Sequence, residues 1–248
     1  MQFIEEHKIL AFIVGIIILL VLFVATQVAY IALNGKDVPA PDIPRQTQVL
    51  GSGQKLIFAV LGDSTSIGQG TEYEKSIAVQ SARYLAKTRQ VELTNFGISG
   101  ATIDEVRTLQ VTRAATFKPD VALIAVGAND VTKFSSYSSV DENMRNIVNT
   151  LKNANPSITI ILTGSPQMGS VSRFPWVVKQ LARKRAGNIN AVFDTIAKQK
   201  NVTRLGIAEG TGDLFLNNPG LFAQDNFHPN TDGYATWQPI INDALSKI

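Results

Sequence analysis

An α/β domain with a mainly parallel sheet, carried behind one membrane-crossing helix, is the architecture this sequence predicts. Three observations point to it. Apolar runs of strand length alternate with helical spacing from Leu56 to the C-terminus. An uncharged apolar block precedes that alternation, from Ile9 to Leu33. Glycine, proline and asparagine separate the strands from the helices where an open sheet needs turns.

The block at 9–33 follows a short tail at 1–8. Its 25 or so residues at about 1.5 Å rise make near 37 Å of helix, enough for a hydrocarbon core of about 30 Å. A cleaved signal peptide has a shorter apolar core and then a small-x-small site. Here apolar sequence continues past Ala25, Ala29 and Ala32, which favours an uncleaved, single-pass anchor. The positive-inside count is nearly tied, with Lys8 and the amino terminus against Lys36 and Arg45, so charge leaves orientation open. From 34 to 54, Pro39, Pro41, Pro44, Gly51 and Gly53 with little periodicity predict an extended linker, and the folded domain is expected over 55–248.

Within the domain, Leu56 to Leu61 is the first expected strand and ends in Gly62-Asp63-Ser64; Ser76 to Lys87 is helical. Val91 to Phe96 is the second strand, followed by a helix through Ile103, Val106, Leu109 and Val111. Val121 to Val126 is unbroken in its apolar character, which suits a strand buried on both faces. Met144, Ile147, Val148 and Leu151 mark a helix stopped by Asn155-Pro156. Ile158 to Leu162 is the fourth strand, Val177 to Ala197 a helix, Val202 to Ile207 the fifth strand, and Tyr234 to Leu245 the closing helix.

Composition narrows the chemistry. Among 248 residues there is no Cys, which excludes a disulfide framework, a thiol nucleophile and Cys-ligated metal. The net charge of +3 is scattered, and its densest cluster, Lys179 to Arg185, fits the polar face of an amphipathic helix, so no nucleic-acid partner is expected. The two histidines are His7, beyond the membrane segment, and His228, so an imidazole base in the domain must be His228.

In open parallel sheets ligands sit beyond the carboxyl ends of the strands. Four clusters lie there or just before the last helix: Gly62-Asp63-Ser64, Asn95 to Gly100, Gly127-Ala128-Asn129-Asp130, and Asp225-Asn226-Phe227-His228. Asp225, three residues before His228, is spaced to hold the imidazole tautomer whose Nε2 accepts a proton. Ser64 needs such a base, since a neutral hydroxyl is a weak nucleophile. The Ser64 N–H, the Gly100 N–H and the Asn129 amide supply three donors for an oxyanion. Each cluster alone fits ordinary structure: a turn, a helix cap, a helix start. Their order and common placement carry the chemical reading. Asp63 and Asp130 are expected to hold the loops, the alternative being that one of them orients His228.

The quartet resembles the sequence blocks of the SGNH, or GDSL-type, serine hydrolases. Gly62-Asp63-Ser64 with Gly68 resembles the nucleophile block, Asn95 to Gly100 the block that supplies a glycine, Gly127 to Asp130 the Gly-x-Asn-Asp block, and Asp225 to His228 the Asp-x-x-His block. Thr65 stands where many members have Leu. The resemblance runs from about Leu56 to the C-terminus. It implies a three-layer α/β/α sandwich of flavodoxin type with a five-stranded parallel sheet. By it, Ser64 is the nucleophile, His228 the base, Asp225 its orienter, and Ser64, Gly100 and Asn129 form the oxyanion hole, with Gly97 the neighbouring alternative to Gly100. It implies neither a metal nor an organic cofactor.

The implied activity is hydrolysis of carboxylic esters of lipids or acylated cell-envelope glycans through an acyl-enzyme. Two other readings use the same site: a tethered glycan- or lipid-binding module without catalysis, and an acyltransferase in which a sugar hydroxyl replaces water. Gly164 to Pro175 and Gly206 to Gln224 are the expected specificity loops; Leu214, Phe215, Leu216, Leu221 and Phe222 either line an acyl pocket or pack on the core. An amino-terminal anchor on such a hydrolase implies a membrane partner and an extracytoplasmic catalytic domain.

Overall fold

The computed structural model describes residues 2–33, 36–44 and 46–248, with side chains from His7 onward. The linker's Asn34, Gly35 and Arg45, and with Arg45 one of the charges in the orientation count, lie outside the described residues, as does Met1.

The first element is helix α1 (Gln2–Leu33), which begins inside the expected tail. Over His7–Leu33 it is long and apolar enough to cross a membrane, with none of its apolar window buried. A short strand, β1 (Gln48–Leu50), comes next, and β2 (Lys55–Gly62) opens the alternation. Beyond it lie α2 (Ser64–Ile67) and α3 (Ile77–Leu85), then β3 (Gln90–Asn95), α4 (Ile103–Leu109), α5 (Val111–Thr116) and β4 (Val121–Ala125). The chain continues through α6 (Ala128–Thr132), α7 (Tyr137–Ala154), β5 (Thr159–Leu162), α8 (Trp176–Ile196), β6 (Val202–Arg204), α9 (Ile207–Asn217) and α10 (Thr231–Leu245).

The sheet order is β1-β3-β2-β4-β5-β6. Five strands are parallel, as expected, and β1 adds a sixth, antiparallel to β3 with Gln48 opposite Leu93 and Leu50 opposite Val91. All five residues of β4 are buried, so the sheet is covered on both faces. Helices α3 and α10 pack together on one side, and α4, α5, α7 and α8 form the other layer. Order reverses beside β2, whose neighbours are β3 and β4. The carboxyl end of β2 therefore sits at the switch point where such sheets hold ligands.

Packing onto the domain begins before residue 55: β1, inside the expected linker, pairs with β3, Thr47 Oγ1 meets Thr94 Oγ1 at 2.8 Å, and Gln69 Nε2 donates to the Val38 carbonyl at 2.7 Å. Three expectations are corrected. The helix expected through Ile103 to Val111 is two helices, because buried Gln110 turns its amide onto the backbone of Gly62 at their junction. The fifth strand stops at Arg204, and Ile207 starts a helix instead. The expected loop over Gly206 to Gln224 is mostly α9: Gly212 lies against Gln167, where a Cβ would stand 2.9 Å from its side chain, so this glycine serves packing inside a helix.

Candidate active site

Ser64 is placed by the sharp exit from β2. Gly62 has φ +142°, and a Cβ there would lie 1.9 Å from the Ala125 carbonyl of β4, so only glycine lets the two strands approach at this point. Asp63 then caps α2, accepting from the Thr65 N–H at 2.8 Å, and the helix ends after one turn at Gly68 in the left-handed conformation. Ser64 thus occupies the first helical position, where the backbone N–H has no partner within the helix.

His228 comes from the loop ahead of α10. Phe222 and Pro229 bridge across this loop, the Ala223 N–H donates to the His228 carbonyl at 2.8 Å, and Asn226 adopts φ +56° at its tip. Asp225 closes it from inside: Oδ1 accepts from the Phe227 and His228 N–H groups at 2.9 and 3.0 Å, leaving Oδ2 for His228 Nδ1 at 2.5 Å. On the far side of the ring, Nε2 lies 2.9 Å from Ser64 Oγ. Phe227 braces the imidazole edge-on, with ring centroids 5.0 Å apart. Burial favours a neutral Asp225, but the imidazole and the two backbone donors outweigh it and hold the carboxyl below its ordinary range, so Asp225 is ionised beside His228.

Asn129, on α6 after β4, joins the strand ends. Its Nδ2 donates to the Ala101 carbonyl, next to Gly100, at 3.2 Å and reaches Asp63 Oδ2, next to Ser64, at 3.4 Å. Gly100 has φ +80° with open space where a Cβ would point. Gly97 differs: its N–H is taken by Asn95 Oδ1 at 2.9 Å, and a Cβ would lie 2.0 Å from Ser66 Oγ. It is a packing glycine whose donor is spent.

Asp63 and Asp130 hold loops. Asp130 caps the start of α4 through the Ile103 N–H at 3.1 Å. Asp63 is fully buried, and burial pushes its carboxyl up to about 6 against the opposing pull of its Thr65 bonds and the charge of His228. Two residues that no sequence pattern marked also support the site. Gln110 clamps Gly62, with Oε1 accepting from its N–H and Nε2 donating to its carbonyl, both at 2.8 Å. Gln69 takes the Tyr234 hydroxyl on its carbonyl at 2.9 Å and the Ser99 hydroxyl on Oε1 at 2.5 Å.

A narrow, mainly apolar cavity of about 30 Å³ opens beside Ser64 and His228, lined by Met168, Val171, Phe215, Phe222, Phe227 and Trp237 among others. Phe215 and Phe222 stack edge to face at 5.1 Å in its wall. Leu214 and Leu216 point the other way and are half exposed, so the apolar run divides between pocket and surface. The arrangement offers a hydroxyl hydrogen-bonded to an imidazole, a carboxylate fixing that imidazole, and an apolar recess beside them.

Comparison with known proteins follows the same outline. The model of the GDSL-like Lipase/Acylhydrolase family matches residues 60–236. A GDSL-like esterase of Mycobacterium tuberculosis is 25% identical over 197 residues, covering 76% of this chain; the chain spans 62% of that relative's length. Two solved structures share the fold: a lipase from a goat rumen metagenome (TM-score 0.62, 16% identity, 77% of this chain and 96% of that one) and an alpha/beta hydrolase enzyme from the metagenome of Lake Arreo in Spain (TM-score 0.62, 17% identity, 79% and 97%).

Proposed function

The chain belongs to the GDSL-like lipase/acylhydrolase family, and from that premise we propose that it is a membrane-anchored serine esterase cleaving acyl esters of lipids or of acylated cell-envelope glycans. The observation that carries the reading is the continuous chain of hydrogen bonds from Ser64 Oγ through His228 to Asp225.

In this reading His228 Nε2 takes the Ser64 proton as Oγ attacks the ester carbonyl. Asp225 keeps the Nδ1–H tautomer and favours the imidazolium that forms. The carbonyl oxygen, now an alkoxide, is received by the Ser64 and Gly100 N–H groups and by Asn129. The long 3.4 Å contact to Asp63 leaves one Asn129 N–H weakly held and free to turn toward that charge. Each such donor is worth about 10²- to 10³-fold in rate. Collapse breaks the ester C–O bond, His228 protonates the departing alcohol, and water repeats the sequence to release the acid. The apolar recess suits a short acyl chain. Residues 9–33 anchor the protein, and the catalytic domain, 55–248 with β1 from the preceding segment added at the sheet edge, works on the extracytoplasmic side.

A panel of esters varied by acyl length and by alcohol, comparing acetylated sugars with lysolipids, tests the reading together with Ser64→Ala. Hydrolysis by the native chain and its loss in the variant are expected. A variant with native rate overturns the assignment, and inertness of the native chain with retained ligand binding favours a binding module. Adding a polyol acceptor and analysing products separates hydrolysis from acyl transfer, and protease accessibility in intact cells tests the orientation.

A further inference from the structure

We infer that the exposed beginning of α8, together with Phe134, is a docking surface for an anionic bilayer, holding the hydrolase site against the membrane that α1 crosses. The inference rests on the anchor reading above. Trp176, Val177 and Leu181 are 73%, 39% and 46% exposed, and Phe134 is 61% exposed. At about 100° per residue the three α8 side chains fall within one arc of about 140°. Gln180 and Lys184 lie inside that arc and Arg183 beside it. No acidic residue occurs from Trp176 to Phe193. An exposed tryptophan among basic side chains fits the boundary between headgroups and acyl chains, with anionic lipid as the complementary charge.

The face is continuous with the anchor. Arg173, just ahead of α8, donates from Nε to the Ile31 carbonyl in the last turns of α1 at 3.2 Å. Ile31 then lines an apolar groove with Val131, Phe134, Phe174, Val178 and Leu181. The tether reinforces this placement. Val38 is bonded to Gln69 and is the fifth residue after the end of α1, a reach of at most about 18 Å. Ile43 packs against the core further along. Val131, buried at the floor of the groove, and Asn129 at the site share α6, which joins the docking face to the site. Esters carried by bilayer amphiphiles then reach Ser64 without crossing bulk water.

The two tryptophans make the test direct, because Trp176 is exposed and Trp237 is 2% exposed. The full chain is reconstituted in phosphatidylglycerol-containing vesicles with and without brominated acyl chains, and tryptophan emission is compared with that of Trp176→Phe. A face settling about 5–10 Å into the interface places Trp176 in contact with bromine, so the native chain should lose about half its emission and the variant little. Equal quenching of both proteins, or of neither, while the protein resists carbonate extraction, overturns the docking surface and leaves the anchor standing. Release by carbonate overturns the anchor and the docking surface together. Ester hydrolysis, measured separately, reports on the active site alone.

Discussion

Replacing Asp225 by Asn probes the hydrogen-bonded chain at the point where chemistry and folding separate. Asp225 Oδ1 accepts from two backbone N–H groups, at 2.9 and 3.0 Å, and Oδ2 meets His228 Nδ1 at 2.5 Å. An asparagine must turn its own Oδ1 toward the two backbone donors, because its NH₂ cannot accept from them. The NH₂ then faces Nδ1 and forces the proton to Nε2, which lies 2.9 Å from Ser64 Oγ as a donor instead of an acceptor. The loop keeps its backbone bonds while the base is lost. A fall in kcat of about 10⁴-fold is expected, equivalent to about 5–6 kcal/mol of barrier. Steady-state hydrolysis of a short p-nitrophenyl ester measures it, with thermal unfolding confirming an intact domain. A folded variant losing less than about tenfold would refute the reasoning, since another group, Asp63 first, would then be setting the tautomer.

Three further outcomes follow from contacts around the site. Gln110→Leu removes both bonds to Gly62 and strands its N–H in the core, so about 2–4 kcal/mol of stability and about 5–15 °C in Tm should be lost, read by urea and thermal unfolding; an unchanged Tm would deny the clamp. Asp63, raised by burial from 3.8 to about 6, binds its proton more tightly folded than unfolded, so its share of stability is present below about pH 4 and is lost as pH rises to about 6. That share is of order 3 kcal/mol, and Asp63→Asn should flatten the urea-derived stability profile over this window, with parallel profiles contradicting the assignment. Phe215→Leu, at the recess wall, should shift the preferred p-nitrophenyl ester toward longer acyl chains by about tenfold in relative kcat/KM; an unmoved preference would place the acyl group elsewhere.

The parallel sheet was legible because β2, β4 and β5 are apolar runs and β3 alternates, and the candidate site because its four clusters follow β2, β3 and β4 or precede α10. The sequence left other elements hidden for identifiable reasons. At three residues between prolines and glycines, β1 is too short for a periodic signal, and it exists through its pairing with β3. Helix α9 carries Gly210 and Gly212, which mark a loop by propensity but allow Ile240 and Gln167 to approach, so tertiary packing overrides the local preference. Gln110 and Gln69 belong to no motif; each acts through the backbone of a distant segment, Gly62 and Val38, and that proximity exists only after folding. The choice between Gly97 and Gly100 likewise needed the bond from the Gly97 N–H to Asn95.

The most direct test of the account is where an organophosphonate attaches. Treatment of the full chain with a p-nitrophenyl alkylphosphonate, followed by peptide mass mapping, should yield one adduct, on Ser64, with loss of esterase activity in proportion to labelling. His228→Ala should suppress the adduct by removing the base 2.9 Å from Ser64 Oγ. An adduct on another residue, or full activity after stoichiometric labelling of Ser64, would contradict the assignment of Ser64 as the nucleophile.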